Sequence, residues 1–226
     1  MRSLLLIALG IALATLPGCA AQAEVAPPSD SSTPSAEPST PTERIVLRPV
    51  TAAGRPAGGF SVTSDTSVTI DCGSPSTARP SPVAVDDDIL VCSPSSAYAV
   101  ACWNGAAPAT AICFRDPWSP DLVEMTLSDS FPAAPALATA QPLGLVLSDG
   151  DRCLIRSGGV WNDLAAHPGW FGTYSCAVNG AVWAAEGDGI DRSSPRWTVE
   201  VAPISGSGTL GTRGVVTAFL VGTRSG

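Results

Sequence analysis

Six cysteines, Cys72, Cys92, Cys102, Cys113, Cys153 and Cys176, follow an apolar N-terminal leader, and this pairing of features narrows the available folds more than any other. An even set of cysteines in a chain that leaves the cytosol reads as a disulfide framework, here three bridges with fifteen formal connectivities. Proximity in sequence suggests Cys72 with Cys92, Cys102 with Cys113, and Cys153 with Cys176, each closing a loop worth roughly 2 to 4 kcal/mol. Zinc is the rival use of the thiols. No C-x-x-C pair occurs and the only histidine is His167, so the close ligand pair usual in thiolate zinc sites is missing and no metal is expected. Exchange catalysis is disfavoured on the same ground, because it generally uses a paired C-x-x-C with a lowered pKa.

The leader is read from the first residues. Arg2 gives a positive start, residues 4–16 run apolar without a charge, and Pro17-Gly18 breaks the run before a cluster of small residues. This is the layout of a secretory signal peptide over residues 1–18. An apolar run of about 13 residues falls short of the roughly 20 that a spanning helix needs. Two cleavage readings stay open. Leu16-Pro17-Gly18-Cys19 resembles the lipobox of bacterial lipoproteins, in which cleavage before the cysteine is coupled to lipidation of its sulfur, although Pro17 departs from the residue usual there. On that reading Cys19 carries the lipid and the protein is extracytoplasmic, anchored to the outer face of the cell membrane. Ala21-Gln22-Ala23 before Glu24 is instead an A-x-A site, which releases a soluble secreted protein.

Residues 19–42 are Pro, Ser, Thr, Ala and Glu with almost nothing to bury, a composition expected to form a disordered tether because burial cannot offset the entropy of ordering. Residues 43–226 are long enough for one core. Their signals are short apolar runs of period two between Gly, Pro, Asn and Asp. Phe60 and Val62, then Val68, Ile70 and Cys72, alternate with polar neighbours, as do Val123, Met125 and Leu127, and Trp197, Val199 and Val201. Residues 89–92, 143–147, 153–155 and 215–221 are continuous apolar runs, as in strands buried on both faces. Asp149-Gly150 and Asn179-Gly180 are tight-hairpin signals, and no long stretch keeps a 3.6 period. The expected fold is mostly β, an antiparallel sandwich or barrel-like domain with three disulfides and little helix. The competing organisation is two related halves, about 43–131 and 142–226, because Cys102-Trp103-Asn104-Gly105 before Ser119-Pro120 resembles Cys176-Ala177-Val178-Asn179-Gly180 before Ser194-Pro195.

All basic residues are arginine, and the net charge of −8 comes without a basic run, which argues against nucleic acid as a partner. No cofactor loop is present. Catalysis has little to build on: His167 sits in the turn His167-Pro168-Gly169-Trp170, and no serine occupies a G-x-S-x-G elbow. The acidic runs Asp86-Asp87-Asp88 and Glu186 to Asp191 lack the spacing of a twelve-residue calcium loop and read as solvated turns. A hydrolase acting on wall material through Asp86, Asp88, Asp116, Glu124, Glu186 or Asp191 requires at least two of these to share a cleft. Among six tryptophans, Trp103, Trp183 and Trp197 lie in or beside strands and read as core. Trp118, Trp161 and Trp170 lie in loops, and with Arg156 and Tyr174 they form the candidate binding surface.

The leader to Cys19, the Ser/Thr/Pro stretch, and segments such as Arg152-Cys153-Leu154-Ile155 and Tyr174-Ser175-Cys176 resemble the tethered, cysteine-containing lipoproteins and secreted proteins of GC-rich Gram-positive bacteria. The resemblance implies location outside the cytoplasm and carries over no active-site residue. The expectation is therefore a non-catalytic module with no cofactor, joined to the membrane through its N-terminal lipid and presenting a β surface to an envelope, cell-wall or protein partner. The hydrolase is the alternative.

Overall fold

The computed structural model describes residues 40–73, 79–94, 97, 99–158, 164–178 and 180–225. The leader, Cys19, the tether up to residue 39, Trp161 and Asn179 lie outside the described residues. Among the described residues, alternating and β-branched segments become fourteen strands: β1 (Glu43–Thr51), β2 (Ser61–Ile70), β3 (Arg79–Pro80), β4 (Leu90–Val91), β5 (Ala101–Asn104), β6 (Thr110–Phe114), β7 (Asp121–Leu127), β8 (Gly144–Leu147), β9 (Arg152–Ile155), β10 (Phe171–Cys176), β11 (Gly180–Ala184), β12 (Ile190–Asp191), β13 (Thr198–Pro203) and β14 (Gly211–Arg224). No α-helical element occurs among the described residues.

The C-terminal strands settle the choice between sandwich and barrel. The order β14-β8-β9-β10-β11-β13 closes on itself because β13 also pairs with β14, giving a ring of six antiparallel strands. Closure removes the free edges that an open sheet would expose. A ring this small has room only for side chains, and period two supplies them: Leu145 and Leu147 from β8, Tyr174 from β10, Val182 from β11, Val199 from β13, and Val215 and Ala218 from β14. Cys153 of β9 stands opposite Cys176 of β10 in register, and their disulfide lies in this interior. The β8–β9 connection uses Gly150 at φ 86°, with the Leu147 amide donating to the Asp151 carbonyl and the Gly150 amide to the Leu147 carbonyl. That is a short hairpin loop whose left-handed residue costs glycine nothing.

The other sheet, β2-β7-β6-β5-β4-β3, is buried on both faces. Ala101, Trp103, Ile112, Phe114 and Leu122 face Val50, Leu143 and Val221 of the barrel sheet. The intervening Cys102, Ala111, Cys113 and Met125 turn to a second core with Ile70, Leu90 and the Cys72–Cys92 bridge. Cys102 and Cys113 are directly opposed on β5 and β6 and form the third bridge. All three disulfides join the neighbours suggested by the sequence. For two of them the physical reason is that adjacent antiparallel strands bring nearby cysteines face to face, while Cys72 and Cys92 meet beside the isolated antiparallel bridge of Asp71 with Ser93.

Phe131 and Ala134 close the second core from the Ala/Pro segment 131–142. The acidic run holds that segment in place. Asp88 Oδ1 accepts from the Ala134 amide at 3.0 Å, Asp87 Oδ1 from the Ala136 amide at 2.8 Å, and Asp86 accepts from the Thr223 amide and the Arg48 guanidinium.

Two pairings depart from the antiparallel expectation. β1 runs parallel to the second half of β14, and β2 runs parallel to β7. Parallel partners lie far apart in sequence, so turn residues leave no trace of them. The likeness of the halves is also partial: Cys102 bonds forward to β6, whereas Cys176 bonds back to β9. Residue 42 is tied to the barrel sheet. The Thr42 amide donates to the Pro195 carbonyl, and its hydroxyl donates to the Val215 carbonyl while accepting from the Trp197 amide.

Candidate functional site

Period two on β9 places Arg152 and Leu154 on the outer face of the barrel, opposite Cys153, and Arg156 continues the row just past the strand end. The β6–β7 loop reaches over this face. Within it Asp116 Oδ1 accepts from the Trp118 amide at 2.8 Å, a local Asx turn that turns the indole back onto β8. The Trp118 ring meets Phe219 of β14 edge to face at 5.9 Å, and the Arg152 guanidinium lies 5.5 Å from the Trp118 ring centroid. This cation–π contact holds Arg152 without neutralising it.

The result is a cleft of about 500 Å³ lined by Trp118, Arg152, Leu154, Arg156 and Ser175. It shares Ile155, Arg156, Ser157 and Gly158 with a second hollow of about 330 Å³, where Arg79 of β3, Gln141 and Asp188 complete the lining. The Arg156 Nη1 points to the Gly172 carbonyl at 3.4 Å, and partial burial lowers its pKa from the ordinary arginine value. Asp188 is occupied elsewhere: both its carboxylate oxygens accept from the Arg192 guanidinium. That bond is the main cause of the raised Arg192 pKa.

The approach of loop to strand depends on Gly144. A Cβ there would lie 2.7 Å from Pro117 Cγ and 2.9 Å from Trp118 Cη2. Gly144→Ala is expected to cost about 1 to 3 kcal/mol by overpacking and to lift Trp118 from the groove. Urea unfolding and the indole NMR shifts check both effects; unchanged shifts at Trp118 would contradict the contact.

Of the residues assigned from sequence, Trp118 and Arg156 meet in the groove. Trp170 packs elsewhere, against Leu164 and Trp183 on the far outer face of the barrel, with the His167 ring 5.0 Å away. Tyr174 stands in the wall of the second hollow, but it is fully buried and its hydroxyl donates to the Pro142 carbonyl at 2.9 Å. Residue parity explains this, since Tyr174 lies two positions before Cys176 on β10 and shares its interior face. Arg152 and Arg79 were missed. The alternation Arg152-x-Leu154-x-Arg156 carried the first signal, whereas Arg79 arrives from a distant strand.

Burial raises the Tyr174 pKa well above its ordinary value, so the native state favours the neutral phenol. Its stabilising contribution is complete below the unfolded value of about 10 and is lost as pH rises through the folded value. In a Tyr98→Phe chain, where Tyr174 is the sole tyrosine, phenolate absorbance is expected to appear only together with alkaline unfolding. Ionisation near pH 10 in a folded protein would contradict the burial.

The six carboxylates named for a hydrolase are spread over the body. Asp86 binds Arg48 and Thr223, Asp88 binds Ala134, and Asp116 binds Trp118. Glu124 accepts from Ser64, Asp191 accepts from Ser193, and Glu186 is exposed. The backbone and hydroxyl hydrogen bonds of Ser193 lower the Asp191 pKa. Asp151, Cys153 and Cys176 approach one another as metal ligands would, but both sulfurs are bound in the disulfide. A cleft of about 700 Å³ at the mouth of the barrel is lined by Asp149, Asp151, Arg152 and Arg213; Arg213 pairs with Asp149 at 3.2 Å, and Asp151 accepts from the Arg152 and Val178 amides.

Fold and site together define a disulfide-linked β module with an arginine-lined groove on the flank of its barrel. Comparison with family models, curated proteins and solved structures finds no match, so the functional argument rests on geometry. The disulfide-rich body is compatible with a location outside the cytoplasm, where such bonds form and persist.

Proposed function

We propose that the protein is a non-catalytic extracytoplasmic module that presents its barrel flank to a partner in the cell envelope, held at the outer face of the membrane by a lipid on Cys19. The observation that carries the proposal is the groove itself. Its cations stand on a closed, disulfide-linked scaffold, the rigid support that precise recognition needs. The nearest carboxylate in the lining is tied to Arg192.

Two measurements test the two parts. Intact mass of the mature protein from the membrane fraction is expected to show a chain beginning at a diacylglyceryl-modified Cys19; a chain beginning at Glu24 makes the protein a soluble secreted one. Sedimentation with isolated cell envelopes is expected to carry the wild-type body down and to fail for the Arg152→Gln, Arg156→Gln double variant. Equal sedimentation of both proteins would remove the groove from the function.

A further inference from the structure

We infer that the Asp151 carboxylate guards the barrel disulfide, repelling thiolates that would reduce Cys153–Cys176. This role is separate from what the groove binds and concerns how its scaffold stays oxidised.

The β8–β9 hairpin brings Asp151 to the entry of β9, two residues before Cys153. One Asp151 carboxylate oxygen and the two sulfurs of the bridge all lie within 4.8 Å of one another. Among the described residues, neither Cys72–Cys92 nor Cys102–Cys113 has a carboxylate grouped with both of its sulfurs in this way. Asp151 Oδ1 accepts from the Arg152 amide at 2.8 Å and the Val178 amide at 3.3 Å, one from each side of the bridge. Amide donors fix the group without cancelling its charge. The neighbouring cations are engaged elsewhere: Arg213 pairs with Asp149, and the Arg152 guanidinium lies against the Trp118 ring.

Reduction of a disulfide begins with thiolate attack on one sulfur. Cys176 is the more accessible partner, 6 % exposed and part of the groove wall, whereas Cys153 is fully buried. The thiolate of an external dithiol therefore bonds to Cys176 Sγ, the S–S bond breaks, and Cys153 leaves with the electron pair as a thiolate. The second thiol of the reductant loses its proton to solvent, attacks the mixed disulfide and releases Cys176 as a thiolate. The dithiol ends as a cyclic disulfide, two electrons pass to the protein, and both cysteine thiolates take protons from solvent. Each attack brings one net negative charge, spread over three sulfurs, toward the Asp151 carboxylate. Like charge within 4.8 Å slows such a step about fourfold even at the dielectric of water, and more at a half-buried site.

The experiment is site-resolved reduction of the folded, oxidised protein at low salt, quenched by alkylation and read from peptide masses. Dithiothreitol is expected to reduce Cys153–Cys176 at least about fourfold faster in Asp151→Asn than in wild type. Asparagine keeps an oxygen for both amides, and near-UV circular dichroism reports that the body is folded. Asp151→Glu keeps the charge and should return the rate toward wild type. A neutral phosphine carries no net charge into its transition state, so its rate should hardly differ between wild type and Asp151→Asn. Wild type alone gives a second reading. Anionic mercaptopropionate should be disfavoured against cationic cysteamine more strongly at Cys153–Cys176 than at Cys102–Cys113.

Equal dithiothreitol rates in wild type and Asp151→Asn would overturn the assignment. So would equal acceleration with the phosphine, which would make Asp151 a brace that keeps the barrel closed. Equal acceleration by Glu186→Gln, an exposed carboxylate outside this group, would show the effect of net charge alone and reject the guard as well. Equal discrimination between the two thiols at both bridges would contradict it in the wild-type chain. Sedimentation with envelopes is untouched by these outcomes, so the module reading stands or falls separately.

Discussion

Trp183→Ala is expected to destabilise the protein by about 4 kcal/mol, the range found when a large aromatic is deleted from a packed core. Trp183 is 1 % exposed. On β11 it alternates with Val182, which faces the barrel interior, so the indole stands on the outer wall. There it fills the space between Ala181, Ala202 and Leu164, with Trp170 and Leu210 packed alongside. Its Nε1 donates to the Ala202 carbonyl across to β13 at 3.4 Å. Alanine would therefore leave a cavity and remove a hydrogen bond to a strand that closes the ring. Trp183→Phe keeps most of the volume and should cost less than half as much. The check is the urea midpoint of each variant at unchanged m-value. A loss below about 1 kcal/mol for alanine would mean that the covering segment collapses onto β11 without strain.

The second large effect concerns the barrel disulfide. Cys153→Ala with Cys176→Ala opens a loop of sequence separation 23, and loop-closure entropy gives a loss of about 3 kcal/mol. Alanine is the suitable replacement, because both sulfurs lie in an apolar interior where serine hydroxyls would add a desolvation cost. Strand pairing between β9 and β10 should survive, since it extends to Leu154–Ser175 and Ile155–Tyr174. The variant is thus expected to fold, with its midpoint lowered and the amides of β9 and β10 exchanging faster. Amide exchange that rises only in β5 and β6 would place the weak point in the other sheet and contradict this account.

Period two and residue proximity made most of the fold legible. Cys153 follows Asp149-Gly150, so the β8–β9 pairing fell out of turn chemistry, whereas Cys102 and Cys113 were joined by their closeness in sequence. The partnership of β1 with β14 and of β2 with β7 was not legible, because it joins segments through tertiary packing instead of through a turn. The acidic run was read as a set of solvated turn residues. Its role in tying residues 131–142 across the second core appears only when the strands are assembled.

The groove was half legible for the same reason. Trp118 and Arg156 stood out as a loop aromatic and a strand-end cation, and Arg152 shared the parity of Arg156 on β9. Arg79 could not be added, since β3 reaches the site through two β-ladders and a different hydrophobic core. Tyr174 lines the second hollow from the barrel interior. An aromatic with a polar tip looked suited to a surface, while its position two residues from a buried cysteine already assigned it to the inside.

Disulfide mapping tests the central claim most directly, namely that oxidation locks this β body in a single pairing pattern. Native protein is alkylated without reductant, digested at acid pH to suppress exchange, and its linked peptides are weighed. The expected products join Cys72 to Cys92, Cys102 to Cys113 and Cys153 to Cys176, with no alkyl label on any of the six. A labelled thiol among them, or a crossed pair such as Cys92 with Cys102, would contradict the structure from which the groove and its function are drawn.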